Sequence, residues 1–104
     1  MSQKRLTENV LMQNLASLDG WSLNADKTAI ARSFRFQDFN AAFGFMSRIA
    51  LMAERLDPHP AWSNVYNRVD ITLTTHDAGG LSDKDMVMAR FINDLERGLS
   101  GEKL

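Results

Sequence analysis

The run Val69-Asp70-Ile71-Thr72-Leu73-Thr74 constrains this chain more than any other stretch. Apolar and polar residues alternate through it without a break, which is the period of a strand with one face buried and one wet. A one-residue slip would turn Val69, Ile71 and Leu73 to water, so the strand's register is tightly specified. Ser63 to Tyr66 is a shorter β-prone run just upstream, and Asn67-Arg68 lies between the two. A tight turn at Asn67-Arg68 pairs Tyr66 with Val69 in an antiparallel hairpin. Carried to the open end, that register sets His59 opposite His76, with Pro60 ending the ladder because it has no N–H to donate. A hairpin buried on one face needs an apolar layer from elsewhere in the chain.

Three helical patterns and a second strand pair can supply that layer. Thr7 caps a first helix with Val10, Leu11, Leu15 and Leu18 as its stripe and Asp19-Gly20 as its stop. Trp21-Ser22-Leu23 reads as a short strand, and Asn24-Ala25-Asp26-Lys27 as a turn. Ile30, Arg32, Phe34 and Phe36 share one parity of the next strand, with Ala31, Ser33 and Arg35 on the other. Asp38 caps a long helix that runs to about Leu56. After the hairpin, Ser82 caps a last helix, Asp85 sits at the capping-box position, and Leu81 can staple onto Met86. Met88, Ala89, Ile92 and Leu95 form that helix's stripe, and Gly98 to Leu104 reads as a frayed tail. The order α-β-β-α-β-β-α predicts an α+β two-layer sandwich, a four-stranded antiparallel sheet with helices packed on one face, in one domain over residues 1–104.

The long helix carries more apolar surface than one sheet needs. Phe39, Phe43, Met46, Ala50, Ala53, Ala42, Ile49, Leu56, Phe45 and Met52 fill about 180° at 100° per residue, where about 100° would serve. The surplus at Phe45 and Met52 calls for cover by a second subunit or by the first or last helix. With a free sheet edge it predicts a homodimer or homotetramer.

Composition removes whole classes of function. There is no cysteine, so thiolate catalysis, disulfides and cysteine-bound zinc are excluded. A net charge of −1 without a basic run argues against a nucleic-acid partner held through its phosphates. No span is apolar enough to cross a bilayer and no signal peptide opens the chain, which predicts a cytoplasmic protein with no membrane partner.

Both histidines fall within the hairpin segment. His59 stands between Pro58 and Pro60, on a backbone stiffened from both sides, and His76 ends the strand run just before Gly79-Gly80. Two histidines without a neighbouring third ligand make no metal site, and no lysine follows the glycine pair as phosphate cradling would need.

The segment Glu54 to Asp85 resembles the pterin-4a-carbinolamine dehydratase family, also called the dimerisation cofactor family. The resemblance rests on Glu54, His59-Pro60, Trp62, Asn64-Val65-Tyr66-Asn67, Thr75-His76-Asp77-Ala78-Gly79-Gly80-Leu81 and Asp85. Upstream, Leu18-Asp19-Gly20-Trp21, Phe34-Arg35-Phe36, Asp38-Phe39 and Ala53-Glu54 extend it over nearly the whole chain. It implies loss of water from a 4a-hydroxytetrahydropterin, with the pterin as substrate and no cofactor. The family's adjacent His-His pair is Pro58-His59 here, so the first histidine is missing, and proline has no titratable proton to replace it. The resemblance implies His76 as general acid or base, and His59 as the group that orients the pterin and shares the transfer. An unperturbed imidazole titrates near 6.5 and suits either role. Trp62 is then a wall for the flat ring, Thr75 a further contact, and Glu54 or Asp57 a substitute proton acceptor. Each has a plainer alternative: a packed strand-edge aromatic for Trp62, solvated carboxylates for Glu54 and Asp57. The loss at Pro58 implies slower turnover, or else a non-catalytic relative that serves as a pterin-binding or dimerisation module.

Overall fold

Strand alternation becomes a sheet because four extended segments pair antiparallel around the most regular of them. The computed structural model of the chain describes residues 4–56 and 60–101. In order they form α1 (Glu8–Ala16), β1 (Ser22–Leu23), β2 (Ile30–Arg35), α2 (Phe39–Leu56), β3 (Ala61–Val65), β4 (Arg68–Leu73), one 3₁₀ turn (His76–Ala78) and α3 (Asp83–Gly101). The sheet runs β1-β2-β4-β3, which makes β4 an interior strand and β3 an edge. The expected α+β sandwich, in the expected order, is the fold observed.

Its core follows strand parity. Val69, Ile71 and Leu73 of β4 are buried beside Ile30 and Phe34 of β2. Phe45 of α2 lies against Phe34 and Phe36, with ring centroids 4.9 and 4.8 Å away. Met86, Met88, Ala89 and Ile92 of α3 complete the cluster. On the opposite parity Ala31, Ser33 and Arg35 are exposed. Across that open face Ser33 and Arg68 both donate hydrogen bonds to Asp70, and these, the serine's first, hold its carboxyl below the usual range. Among the described residues no helix is long and apolar enough to cross a membrane.

The expected caps of the first two helices form. The Thr7 hydroxyl accepts from Val10 N at 3.3 Å, and Asp38 Oδ1 from Ala41 N at 2.8 Å. Past α1, Gly20 has φ +86°, and a Cβ there would stand 2.5 Å from Arg32 Nε, so only glycine fits. The next residue, Trp21, donates from Nε1 to Asn93 Oδ1 at 2.8 Å, clamping the α1–β1 corner onto α3.

Four expectations need correction. The hairpin turn is Tyr66-Asn67, so Val65 pairs with Arg68, and Trp62 with Ile71. Asn67 is held by β2's extension: its carbonyl accepts from Phe36 N at 2.8 Å, and its amide donates to Phe36 O at 2.9 Å. That leaves Tyr66 the left-handed position at φ +50°, where the Asn64 amide donates to Tyr66 O and Arg68 O. Partner numbers shift by two, an even step, so every side chain keeps its expected face. Second, Phe45 is fully buried and Met52 half-buried, while Phe39, Phe43 and Leu51 are exposed. The surplus apolar surface of α2 therefore lies on the other flank, because α2 packs on α3 and β4. Third, Val10 is exposed. Fourth, α3 continues through the expected tail to Gly101.

Candidate active site

The segment after β4 is a short loop pinned at its base. The Thr74 hydroxyl donates to Thr28 O at 2.6 Å. Thr75 N donates to Gly80 O at 2.8 Å and Gly80 N returns to Thr75 O at 3.3 Å, closing residues 75–80 into a ring. Within it Ala78 N reaches Thr75 O at 3.1 Å and Gly79 N reaches His76 O at 3.0 Å, the bonds of one 3₁₀ turn. Gly79 ends the turn at φ +71°, as glycine readily does. Gly80 is buried, and a Cβ on it would meet Arg5 Nε at 2.8 Å. The N-terminal segment is stapled to the same place, with Leu6 N donating to Leu81 O at 2.8 Å. His76 opens the turn and is exposed, so its imidazole meets solvent from a braced mount.

Under the loop lies a polar knot. Thr75 Oγ1 donates to Asp85 Oδ2 at 2.6 Å, and Ser82 Oγ lies 2.6 Å from the same Thr75 oxygen. Ser82 N donates to Asp85 Oδ2 at 3.0 Å, the acid's half of the expected capping box. The serine hydroxyl does not complete the box, because it is bonded to Thr75 instead. Asp85 is fully buried, and its Oδ1 has no partner among the described residues. Burial pushes this carboxyl above its usual range, against the opposing pull of the Thr75 and Ser82 bonds.

The other sequence candidates separate as follows. Trp62 sits on β3 opposite Ile71, half-buried and packed against the core, on the inner face of the sheet. Its strand end and the departing end of β4 are the same end of the hairpin. Glu54 is exposed near the last turn of α2. Leu56 and Pro60 are four residue steps apart, at most about 14 Å of chain, so the end of α2 lies near the start of β3. His59, Asp57 and Pro58 lie outside the described residues, and so does the expected meeting of the two imidazoles. The Tyr66–Val69 register behind that expectation is the one corrected above. Among the described residues no three His, Asp or Glu side chains form a group able to hold a metal ion. The link from Asp85 to Thr75 has no signal in the sequence: Ser-x-x-Asp reads as a cap, and nothing in its spacing says that the acid is buried against a residue ten positions upstream.

Residues 4–95 match the family model described as pterin 4 alpha carbinolamine dehydratase. Proteins of Brucella ovis and Brucella canis, provisionally named pterin-4-alpha-carbinolamine dehydratase, are each 52% identical over 93 residues, 89% of this chain and 96% of theirs. A crystal structure of a transcriptional coactivator/pterin dehydratase from Brucella melitensis superposes with a TM-score of 0.86 at 50% identity, over 89% of this chain and 99% of that one. A pterin dehydratase-like protein, a RuBisCO assembly factor of the alpha-carboxysome, shares the fold, with a TM-score of 0.64 at 18% identity over 74% of this chain and 89% of its own.

Proposed function

We propose that this chain, which belongs to the pterin 4 alpha carbinolamine dehydratase family, removes water from a 4a-hydroxytetrahydropterin to give the quinonoid dihydropterin. The observation that carries this reading is the braced 75–80 loop with an exposed His76 at its start. Dehydration needs a proton delivered to the departing hydroxyl and an acceptor for the ring N–H proton. His76 supplies one of these transfers, and His59 orients the ring and shares the other. Trp62 walls the pterin, Thr75 lies at the loop's base, and Glu54 or Asp57 takes the proton role that Pro58 cannot fill. Each such transfer is worth about 10²–10⁴-fold. Turnover is slower than in relatives with both adjacent histidines. The chain works as a homodimer or homotetramer in the cytoplasm, burying the Phe39, Phe43 and Leu51 flank of α2.

Stopped-flow dehydration of a 4a-carbinolamine, comparing the parent with His76→Ala, tests the chemistry. A loss of about 10²-fold or more in the variant is expected. Equal rates would leave a second reading, favoured by Pro58: a non-catalytic pterin-binding or dimerisation module. A regulatory role of that kind is consistent with the coactivator designation of the Brucella melitensis neighbour.

A further inference from the structure

We propose that Asp85 is a positioning residue for His76, acting through the Thr75 hydroxyl. The proposal rests on the reading that His76 transfers the proton. A capping acid normally sits at a wet helix start, where water satisfies its second oxygen. Asp85 is instead fully buried, with Oδ1 unpartnered among the described residues, which no helix cap requires. What the buried position does provide is a bond to the loop. Thr75 has one hydroxyl proton and gives it to Asp85 Oδ2, so its oxygen accepts from Ser82, and the chain Ser82→Thr75→Asp85 has one direction. These two bonds fix the Thr75 side chain. Its main chain also makes both ladder bonds to Gly80 and accepts the first bond of the 3₁₀ turn. The residue before His76 is thereby held from the first turn of α3 on one side and by the loop ring on the other. The main-chain bonds alone leave the ring free to pivot about its stem, and the hydroxyl–carboxylate link removes that pivot. The buried carboxyl is retained for the aim of the imidazole, and the helix cap comes with it.

The test uses Thr75→Val, which deletes the hydroxyl at nearly constant shape, Asp85→Asn, and Thr75→Ser, which keeps the hydroxyl. Nitrogen-15 relaxation of the His76 imidazole reads the positioning without reference to activity. A restrained ring is expected in the parent and in Thr75→Ser, and a broadened or more mobile one in Thr75→Val and Asp85→Asn. In turnover, Thr75→Val and Asp85→Asn are expected to lower kcat about tenfold with KM changed less than twofold, and Thr75→Ser to recover most of that loss. On a His76→Ala background Asp85→Asn should cost nothing further, because there is no imidazole left to aim. The same fractional loss on both backgrounds, or an unchanged His76 ring in both variants, overturns the proposal. If neither variant folds, Ser82→Ala, which removes one bond of the chain, is expected to give an intermediate ring mobility, and a parent-like ring would refute the link. If the parent shows no dehydration at all, the dehydratase reading has failed, and the ring dynamics still decide the positioning.

Discussion

Asn93 is buried on α3, and its one amide serves three partners. Oδ1 accepts from Trp21 Nε1 at 2.8 Å and from Arg32 Nη1 at 2.6 Å, while Nδ2 donates to Asp19 O at 3.1 Å. Asn93→Leu keeps the heavy-atom count and the branching at Cγ, so it opens no cavity and removes the amide's hydrogen-bonding groups. Trp21 loses a bond worth about 1 kcal/mol, and its buried N–H is left without an acceptor at a further cost of about 1–3 kcal/mol. Arg32 loses less, because it keeps Asp19 O at 3.2 Å and Glu96 at 3.7 Å and its side chain is partly exposed. Its share is below about 1 kcal/mol. The expected total is about 3 kcal/mol, a large part of the ~5–15 kcal/mol that holds a domain together, with Tm lower by roughly 12–20 °C. Urea unfolding followed by far-ultraviolet circular dichroism measures it, since Trp21 fluorescence would itself respond to the substitution. Trp21→Phe is the control: on that background the stranded donor is gone, and Asn93→Leu should cost about 2 kcal/mol less than on the parent. A loss under about 1 kcal/mol on the parent, or full additivity with Trp21→Phe, would refute the clamp as the reason for the Asp19-Gly20-Trp21 corner.

Phe45→Ala empties the site between Phe34 and Phe36 and should destabilise by about 3–5 kcal/mol in the same assay; a loss below about 1 kcal/mol would mean that the two strand aromatics do not rest on it. The two shifted carboxyls act in opposite senses with pH. Asp85 holds its proton more tightly folded than unfolded, so stability falls as pH rises from about 3.8 through its raised folded value. Asp85→Asn should flatten that slope in urea titrations at stepped pH. Asp70 is lowered, so its contribution stands above about 3.8 and is lost as pH falls from there through its folded value. Ser33→Ala should shrink that acid-side loss, and an unchanged acid limb would dismiss the open-face ladder as its source. Sedimentation at micromolar concentration should give a dimer or tetramer, with Phe43→Ser and Leu51→Ser together shifting it toward monomer; a monomeric parent ends the assembly proposal.

Much of the candidate site could be read from local rules. The Thr75–Leu81 loop announced itself through a strand ending in a histidine and a glycine pair, and Gly79 takes the left-handed φ that such a pair suggests. Trp62 falls on the inner face because side chains alternate by two, which survived even a wrong turn assignment. The turn was misplaced because Asn67 is claimed by Phe36, 31 residues earlier, and no local signal reports that bond. Ser82 and Asp85 were legible as a helix start and illegible as a mount for the loop, since a cap is a contact within four residues and the mount is not.

Periodicity, caps and glycine chemistry concern neighbours along the chain, so strand faces, helix starts and the α-β-β-α-β-β-α order could be known before any fold. Which flank of α2 stays bare, where the hairpin turns, and whether a capping acid is wet or buried depend on partners far off in sequence. Those are settled by packing, because a side chain's burial is a property of everything that comes to lie against it. Asp85 shows the difference within one residue: four letters of sequence made it a cap, and the loop bonded to it through Thr75 made it a buried mount, with one of its oxygens unpartnered among the described residues.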